Sequence, residues 1–248
     1  MPMTQLQEIV AYCNLRLDVG SFDDYCPNGL QVEGRPEVGS IVSGVTASRA
    51  LIDAAAQAGA DLLLVHHGYF WRGEPAPLVG VKGRRVKALL AADISLLAYH
   101  LPLDAHPELG NNRQLAIALG FDNATAVDGL LWGVELSRAM PAADLVARVD
   151  SALGRKPLVI GPQAPVRRIA WCTGAAQGMI GQAAAAGFDA FISGEVSEQT
   201  VHEARELEIL YLSAGHHATE RYGVQALGSE LAERFGLNHR FIDIANPV

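Results

Sequence analysis

Cysteine is scarce in this sequence: Cys13, Cys26 and Cys172 are odd in number, widely separated and without CxxC spacing. That argues against a disulfide framework and against a thiolate zinc site, and leaves buried or idle thiols as the expectation. Long apolar runs are also missing. The longest, around Ala88 to Leu101, is interrupted by Asp93 and falls short of the roughly 18 residues that a membrane span requires. The opening residues, MPMTQLQEIV, hold neither a basic cluster nor an apolar stretch with a small-residue cleavage site, so a cytoplasmic location is expected. Positive charge is thin. The formal net charge is −8 and the basic residues cluster only at Lys82, Arg84, Arg85 and Lys87, which weighs against a phosphate-backbone partner. Neither nucleic acid nor a membrane is an expected partner.

What the chain does have is apolar content: half of its 248 residues, enough for a core of ordinary size in one large or two small domains. From Thr4 to Leu17 apolar residues recur with a helical period, and Thr4 is placed to cap the first turn. After the Asn28-Gly29 turn, Ser40 to Thr46 reads as a buried strand. Ser48 to Gln57 follows as a helix closed by Gly59, and Asp61 to Val65 as another strand. A basic helix from Lys82 to Ala92, a strand from Ile94 to Tyr99 and a helix from Asn112 to Leu119 continue the pattern. Thr125 to Leu136 alternates weakly as one or two strands before a helix from Ala142 to Leu153. Strands then fall at Ile169 to Cys172, Ala190 to Ser193, Ile209 to Ser213 and Arg240 to Ile244, with helices at Gln182 to Ala186, Ser197 to Leu207 and Ala218 to Phe235. The fold class expected is α/β, with two similar α/β halves, 1–125 and 126–248, carrying largely parallel sheets and packed as one globule.

The segment Ala58-Gly59-Ala60-Asp61 is matched by Ala186-Gly187-Phe188-Asp189, each passing from helix to a short apolar strand. Either the chain is an ancient duplication or Ala-Gly-x-Asp is a common helix-to-strand connector. Both readings put His66-His67-Gly68 and Gly194-Glu195 at equivalent strand ends.

Ligands in open α/β sheets collect beyond the carboxyl ends of the strands. His66 and His67 follow one such end, His100 and Asp104 a second, and His216, His217 and Glu220 a third, so five of the eight histidines fall in three segments. A lone histidine at a strand end is usually a hydrogen-bonded structural residue, but three such ends together point to a metal site between the halves. His216 and Glu220 lie four apart at a helix opening and share a face. His217 points a quarter turn away, toward a supporting role or solvent. Adjacent side chains on an extended strand point to opposite sides, so His66 and His67 suit two ions better than one. Asp104, on a turn beyond Pro102, can bridge a pair of cations. His66, His67, Asp104, His216 and Glu220 are thus the expected ligands of two divalent ions. Three imidazoles with two carboxylates suit zinc, iron, manganese, cobalt or nickel and suit calcium poorly.

Spare coordination on two ions implies hydrolysis of a small substrate. Glu195 is the carboxylate placed to act as a general base or a supporting partner, with a helix-dipole role for the helix near Ser197 as the plainer account. His100 and His217 are expected as supporting or substrate-facing groups. The loop Gly174 to Gly178 could cradle a phosphate, though it lacks a Walker lysine and reads more simply as a tight turn. Tyr69, Phe70 and Trp71 could stack a planar ring or cover a core or interface.

Taken in order, Asn28-Gly29-Leu30-Gln31-Val32, His66-His67-Gly68, His100 to Asp104, Ser193-Gly194-Glu195 and Gly215-His216 with Glu220 resemble the GTP cyclohydrolase I type 2 homologue family, also called NGG-interacting-factor-like. The resemblance spans essentially the whole chain. It implies a dinuclear site on the same five residues, an α/β fold of two similar halves, and a homohexamer built as a trimer of dimers. One departure stands out: Leu-Pro-Leu-Asp at Leu101 to Asp104 replaces the Thr-Asn-Leu-Asp of many members, with Asp104 retained. Nothing in these residues selects GTP over another phosphorylated or ring-containing substrate. A non-enzymatic metal-binding scaffold or regulatory partner-binding protein is the alternative.

Overall fold

Alternation along the strands decides how the sheets are covered. In a computed structural model that describes residues 3–248, Ile41, Leu62, Leu64 and Leu97 enter one apolar cluster while Val42, Leu63, Val65, Leu96 and Ala98 enter another. Successive side chains on a strand project to opposite faces, so this sheet is apolar on both sides and needs helices on each.

The chain divides into two compact units, one running up to Leu109 and resuming at Gly223–Ala245, the other comprising Gly110–Tyr222 and Asn246–Val248. The first holds a five-stranded sheet ordered Asn238–Phe241, Ser40–Thr46, Leu62–His67, Ser95–Ala98 and Gly29–Val32. Its first four strands are parallel and Gly29–Val32 is antiparallel. Helices Leu6–Arg16 and Arg221–Phe235 cover one face, burying Leu6, Ile9, Val224, Leu227 and Leu231. Helices Arg49–Gln57 and Gly80–Ala91 cover the other with Leu51, Ile52, Val86 and Leu89. The second unit holds a six-stranded sheet ordered Thr125–Asp128, Leu131–Met140, Val166–Cys172, Ala190–Ser193, Leu210–Ser213 and Leu158–Ile160. Val166–Cys172, Ala190–Ser193 and Leu210–Ser213 run parallel, and their neighbours are antiparallel.

The expected α/β class therefore holds, with the first sheet largely parallel and the second mixed. Several local expectations do not. Thr4 caps no helix: Thr4–Gln5 pairs with Glu37–Val38, and the Leu6 amide donates to the Pro36 carbonyl instead. The helix expected from Ala218 is two pieces, His216–Thr219 and Arg221–Phe235, broken at Glu220. Asp104 lies on a short helix, Leu101–Ala105, which Pro102 opens because a first-turn proline gives up no helical hydrogen bond. The unit division also differs from a cut at residue 125. Leu115 and Ala116 pack with Trp132 and Trp171, and Asn238–Phe241 extends the first sheet beside Ser40–Thr46, so each flanking segment follows the core that it completes.

The internal match extends to topology. Three parallel strands followed by an antiparallel edge strand that precedes them in the chain occur in both units. Asp61 accepts from the Gly39 and Ser40 amides at 2.9 and 3.0 Å, and Asp189 accepts from the Arg167 and Arg168 amides at 2.7 and 2.8 Å. In each unit the aspartate thus ties the start of its strand to the neighbouring strand, and Gly59 and Gly187 before it carry φ of 70° and 77°, a left-handed turn that glycine adopts without strain. Asp61 is 7% exposed, and it also binds Arg35 at 2.7 Å, whereas Asp189 is exposed. Asp61→Ala should destabilise by about 2–4 kcal/mol, since it strands buried amides and a guanidinium. Asp189→Ala should cost clearly less, and equal losses in denaturant unfolding would refute this account of the shared motif.

A charged group also joins the helices of the first unit. Glu230 accepts from Tyr12 at 2.7 Å and from Arg16 at 3.0 Å. Burial pushes the Glu230 carboxyl up, but the bonds from Arg16 and Tyr12 outweigh it and hold it below the ordinary glutamate value. A carboxyl depressed in the folded state contributes stability above its unfolded value, near pH 4.5, and that contribution fades as pH falls through the folded value. Glu230→Gln should therefore lower the melting temperature at pH 7 and flatten its fall at acid pH; an unchanged acid limb in a pH series of thermal scans would contradict this.

Candidate metal centre

The first unit ends its central strand on two histidines, because Leu62–His67 runs on through His66 and His67. Pairing with Ser95–Ala98 stops at Val65, while Thr46 still pairs with His67. The alternation of an extended strand predicts that the two rings diverge. Instead their centroids lie 4.6 Å apart, since the chain is held from one side only at that point. His100, at the end of the next strand, brings its ring centroid to 5.0 Å from that of His66. The ligating atoms of His66, His67 and His100 all lie within 4.8 Å of one another.

Each of these imidazoles is oriented through Nδ1. His66 Nδ1 meets the Tyr99 carbonyl at 2.8 Å, His67 Nδ1 meets Thr46 Oγ1 at 3.2 Å, and His100 Nδ1 meets the Asp24 carboxylate at 2.9 Å. A carbonyl can only accept, so His66 carries a proton on Nδ1, which leaves Nε2 as the nitrogen that a cation would take. That Nε2 faces Asp104 Oδ1 at 3.5 Å, with His66 fully buried and Asp104 6% exposed. An imidazole nitrogen and a carboxylate oxygen thus face one region, donor types that suit a divalent cation.

Support for His100 comes from a loop that carries no local sequence signal. Asp24 accepts from Asn28 Nδ2, from the Tyr25 and Leu101 amides and from His100, while Asn28 Oδ1 accepts from the His100 amide at 2.7 Å. Burial pushes the Asp24 carboxyl up, but the bonds from His100 and Asn28 prevail and hold it well below the usual carboxylate range. Donor atoms of Asp24, Cys26 and His100 also cluster within 4.8 Å. Burial, with Asp24 adding to it, pushes the Cys26 thiol up to about 12, and both Asp24 oxygens already accept hydrogen bonds, so this group is a brace rather than a donor set. Gln31 braces the chain beyond His67, accepting from the Tyr69 amide at 2.7 Å. A Cβ on Gly68 would fall 2.2 Å from Gln31 Oε1, which accounts for the glycine after the two histidines.

The second unit presents its own set. His216 Nδ1 meets Glu195 Oε1 at 2.7 Å and Nε2 meets Glu220 Oε2 at 3.0 Å. Burial alone would lower His216, but Glu220 and then Glu195 overcome it and raise its pKa to about 9. Two carboxylates that stabilise an imidazolium at that place would equally stabilise a metal ion. Glu195 does not cap the following helix, whose first turn is closed by Ser197 and Thr200. His217 is buried, its amide donating to the Val248 carbonyl. In the loop from Gly174, the Gly174 amide donates to Thr219 Oγ1 and its carbonyl accepts from Gly194, so that amide is not turned to a phosphate. Its glycine makes room for Glu220, since a Cβ there would lie 2.1 Å from Glu220 Oε1. Trp71 and Tyr25 stand edge-on to His100, each at 5.0 Å between centroids, so Trp71 borders the imidazoles and does not merely cover a core.

These features define an α/β protein whose strand ends carry His, Asp and Glu groups that could hold a metal ion. Residues 4–247 match Duf34/NIF3 (NGG1p interacting factor 3), and the chain belongs to that family. A Pseudomonas aeruginosa protein named GTP cyclohydrolase 1 type 2 homolog is 59% identical over 249 residues, 98% of each chain. Among solved structures, protein ybgI, described as of unknown function, superposes with a TM-score of 0.93 at 50% identity, covering 99% of this chain and 100% of that one. TTHA1606 from Thermus thermophilus gives 0.92 at 35% identity, covering 99% and 100%. No described helix is long and apolar enough to cross a membrane.

Gly174→Ala should weaken divalent-cation binding about tenfold or more by displacing Glu220, and should cost about 1 kcal/mol of stability from its φ of 69°. Competition with a chromophoric chelator measures the first; undiminished affinity would show that Glu220 does not need this space.

Proposed function

We propose that His66, His67, Asp104, His216 and Glu220 hold two divalent cations and that the chain is a metal-dependent hydrolase of a small substrate, with nucleotides as the first class to test. The observation that carries this reading is the shared orientation of four imidazoles. Protein groups engage Nδ1 of His66, His67, His100 and His216, which leaves Nε2 as the nitrogen that a metal would take, the pattern usual behind metal-bound histidines. Bound there, such cations supply Lewis acidity toward a scissile group and lower the pKa of water. Zinc, iron, manganese, cobalt and nickel all suit imidazole and carboxylate donors without a thiolate.

In this reading Asp104 would help to hold the cations, and Glu195 is a positioning residue that fixes the His216 tautomer. Trp71 and Tyr25 restrict water beside His100 and give a substrate an aromatic wall. A homohexamer, as a trimer of dimers, is proposed from the family resemblance. The family description names an interacting factor, which favours a metal-dependent partner-binding role as the second reading.

Elemental analysis of protein purified without chelator should find two divalent ions per chain. Asp104→Ala should lose at least one of them and any hydrolytic turnover against a panel of nucleotides, phosphoesters and peptides, while its circular dichroism stays unchanged. Absence of retained metal would sink the centre itself. Metal without turnover on any substrate would sink the hydrolase and leave the partner-binding role.

A further inference from the structure

We propose that Glu74, seated by Lys82, is the positioning residue that holds Trp71 beside the imidazoles of the first unit, and that the loop it closes is the gate to them. The gate rests on the reading of those imidazoles as a metal centre; the seating of Glu74 does not.

The loop is built by its own sequence. Tyr69 is its fixed end: the hydroxyl donates to the Ala47 carbonyl, the amide donates to Gln31 Oε1, each at 2.7 Å, and the side chain is buried. From Trp71 the chain reverses, the Glu74 amide donating to the Trp71 carbonyl at 2.8 Å. Gly73 supplies the φ of 88° that the third position of such a turn requires. The reversal brings the Glu74 carboxylate back to the start of the loop, where Oε2 accepts from the Phe70 amide at 2.8 Å and from the Trp71 amide at 3.2 Å. Successive amides of this kind form a nest for an anion, and here the anion is a side chain. Lys82, in the first turn of the Gly80–Ala91 helix, completes the arrangement. Its ammonium lies 3.6 Å from Glu74 Oε1, donates to the Pro75 carbonyl and stands 5.6 Å from the centre of the Phe70 ring. The Lys82 side chain is only 9% exposed, although a lysine ordinarily keeps its charged end in water.

Strain marks where the loop opens. Phe70 has a φ of 66°, a left-handed backbone that a bulky residue keeps only where its surroundings impose it. Those surroundings are the Glu74 carboxylate on its amide and Lys82 beside its ring. Released from them, Phe70 returns to the ordinary region of negative φ, and rotation there swings the residues beyond the fixed Tyr69. Trp71 is the residue that matters, with its ring centroid 5.0 Å from that of His100 and 6.0 Å from that of His67. Tyr25 is tied to the same loop, because the Arg72 amide donates to the Tyr25 carbonyl at 2.6 Å. The strand ends at His67, so the loop moves without disturbing the sheet.

The test uses the full chain with zinc as the probe. Of the three tryptophans only Trp71 is half-buried, Trp132 and Trp171 being fully buried, so its fluorescence reports on the loop once the signal of a Trp71→Phe variant is subtracted. In metal-free protein, Glu74→Ala should raise acrylamide quenching of Trp71 several-fold, and Glu74→Gln, which keeps an oxygen for the two amides, should restore most of the protection. In zinc-loaded protein, Glu74→Ala and Trp71→Ala should both speed withdrawal of zinc by a bulky chromophoric chelator about tenfold with equilibrium affinity unchanged, as loss of a gate and not of a ligand demands. Lys82→Met should act in the same direction and serves where Glu74→Ala folds poorly. Unchanged quenching, or zinc loss as slow as in the wild type, would overturn this inference and leave the metal centre standing. A wild type that binds no zinc would overturn the centre and the gate together.

Discussion

An imidazole has one lone pair for a cation only when its other nitrogen holds the proton, and most of what is specific about this chain follows from enforcing that condition. Tyr99, Asp24 and Glu195 offer only acceptors and so hold a proton on the Nδ1 that each meets, while the Thr46 hydroxyl meets a fourth Nδ1. Two of these partners are carboxylates that have to be kept in place themselves. Around Asp24 this brings in Asn28 and two backbone amides. Glu220, on the other nitrogen of His216, is placed through Gly174, whose missing side chain leaves the space that the carboxylate fills. Conspicuous motifs such as Asn28 to Val32 and Gly174 to Gly178 therefore act one layer behind the donors.

The two units use a common plan with different chemistry. Both set three parallel strands beside an antiparallel edge and both tie a strand start with an aspartate across two amides. The equivalent strand ends diverge: His66 and His67 in one unit, Gly194 and Glu195 in the other. One unit concentrates imidazole and the other carboxylate around a single histidine. Such divergence costs the fold little, because residues past the end of a parallel ladder are outside the packed interior.

Much of this was legible in the sequence. Ser40–Thr46, Ala190–Ser193 and Ala142–Leu153 match their periodicities because burial on one or both faces dictates their residue types. The candidate donors could be picked out because histidines gather at strand ends. What escaped was set by distant partners. Asp24 meets His100 across 76 positions, and no local pattern marks an aspartate as the base of a histidine. Thr4 looked like a cap because capping chemistry is local, but a strand pairing at Glu37–Val38 claimed it. The convergence of His66 and His67 defied alternation because the ladder ends on one side first.

The first unit is interrupted in the chain, and this has a consequence for the order in which the protein can be made. Leu6, Ile9 and Cys13 find Val224, Leu227 and Leu231 in their cluster, and Ser40–Thr46 finds Asn238–Phe241 at its edge. While a ribosome extends the chain, those partners are still unmade. At typical elongation rates the wait between the two parts is on the order of ten seconds. Gly110–Tyr222 is contiguous and can complete its own sheet in that interval, so the amino-terminal portion emerges first and finishes last. During that time the open strand edge and the uncovered face carrying Ile41, Leu62 and Leu64 are what a chaperone would meet on the nascent chain.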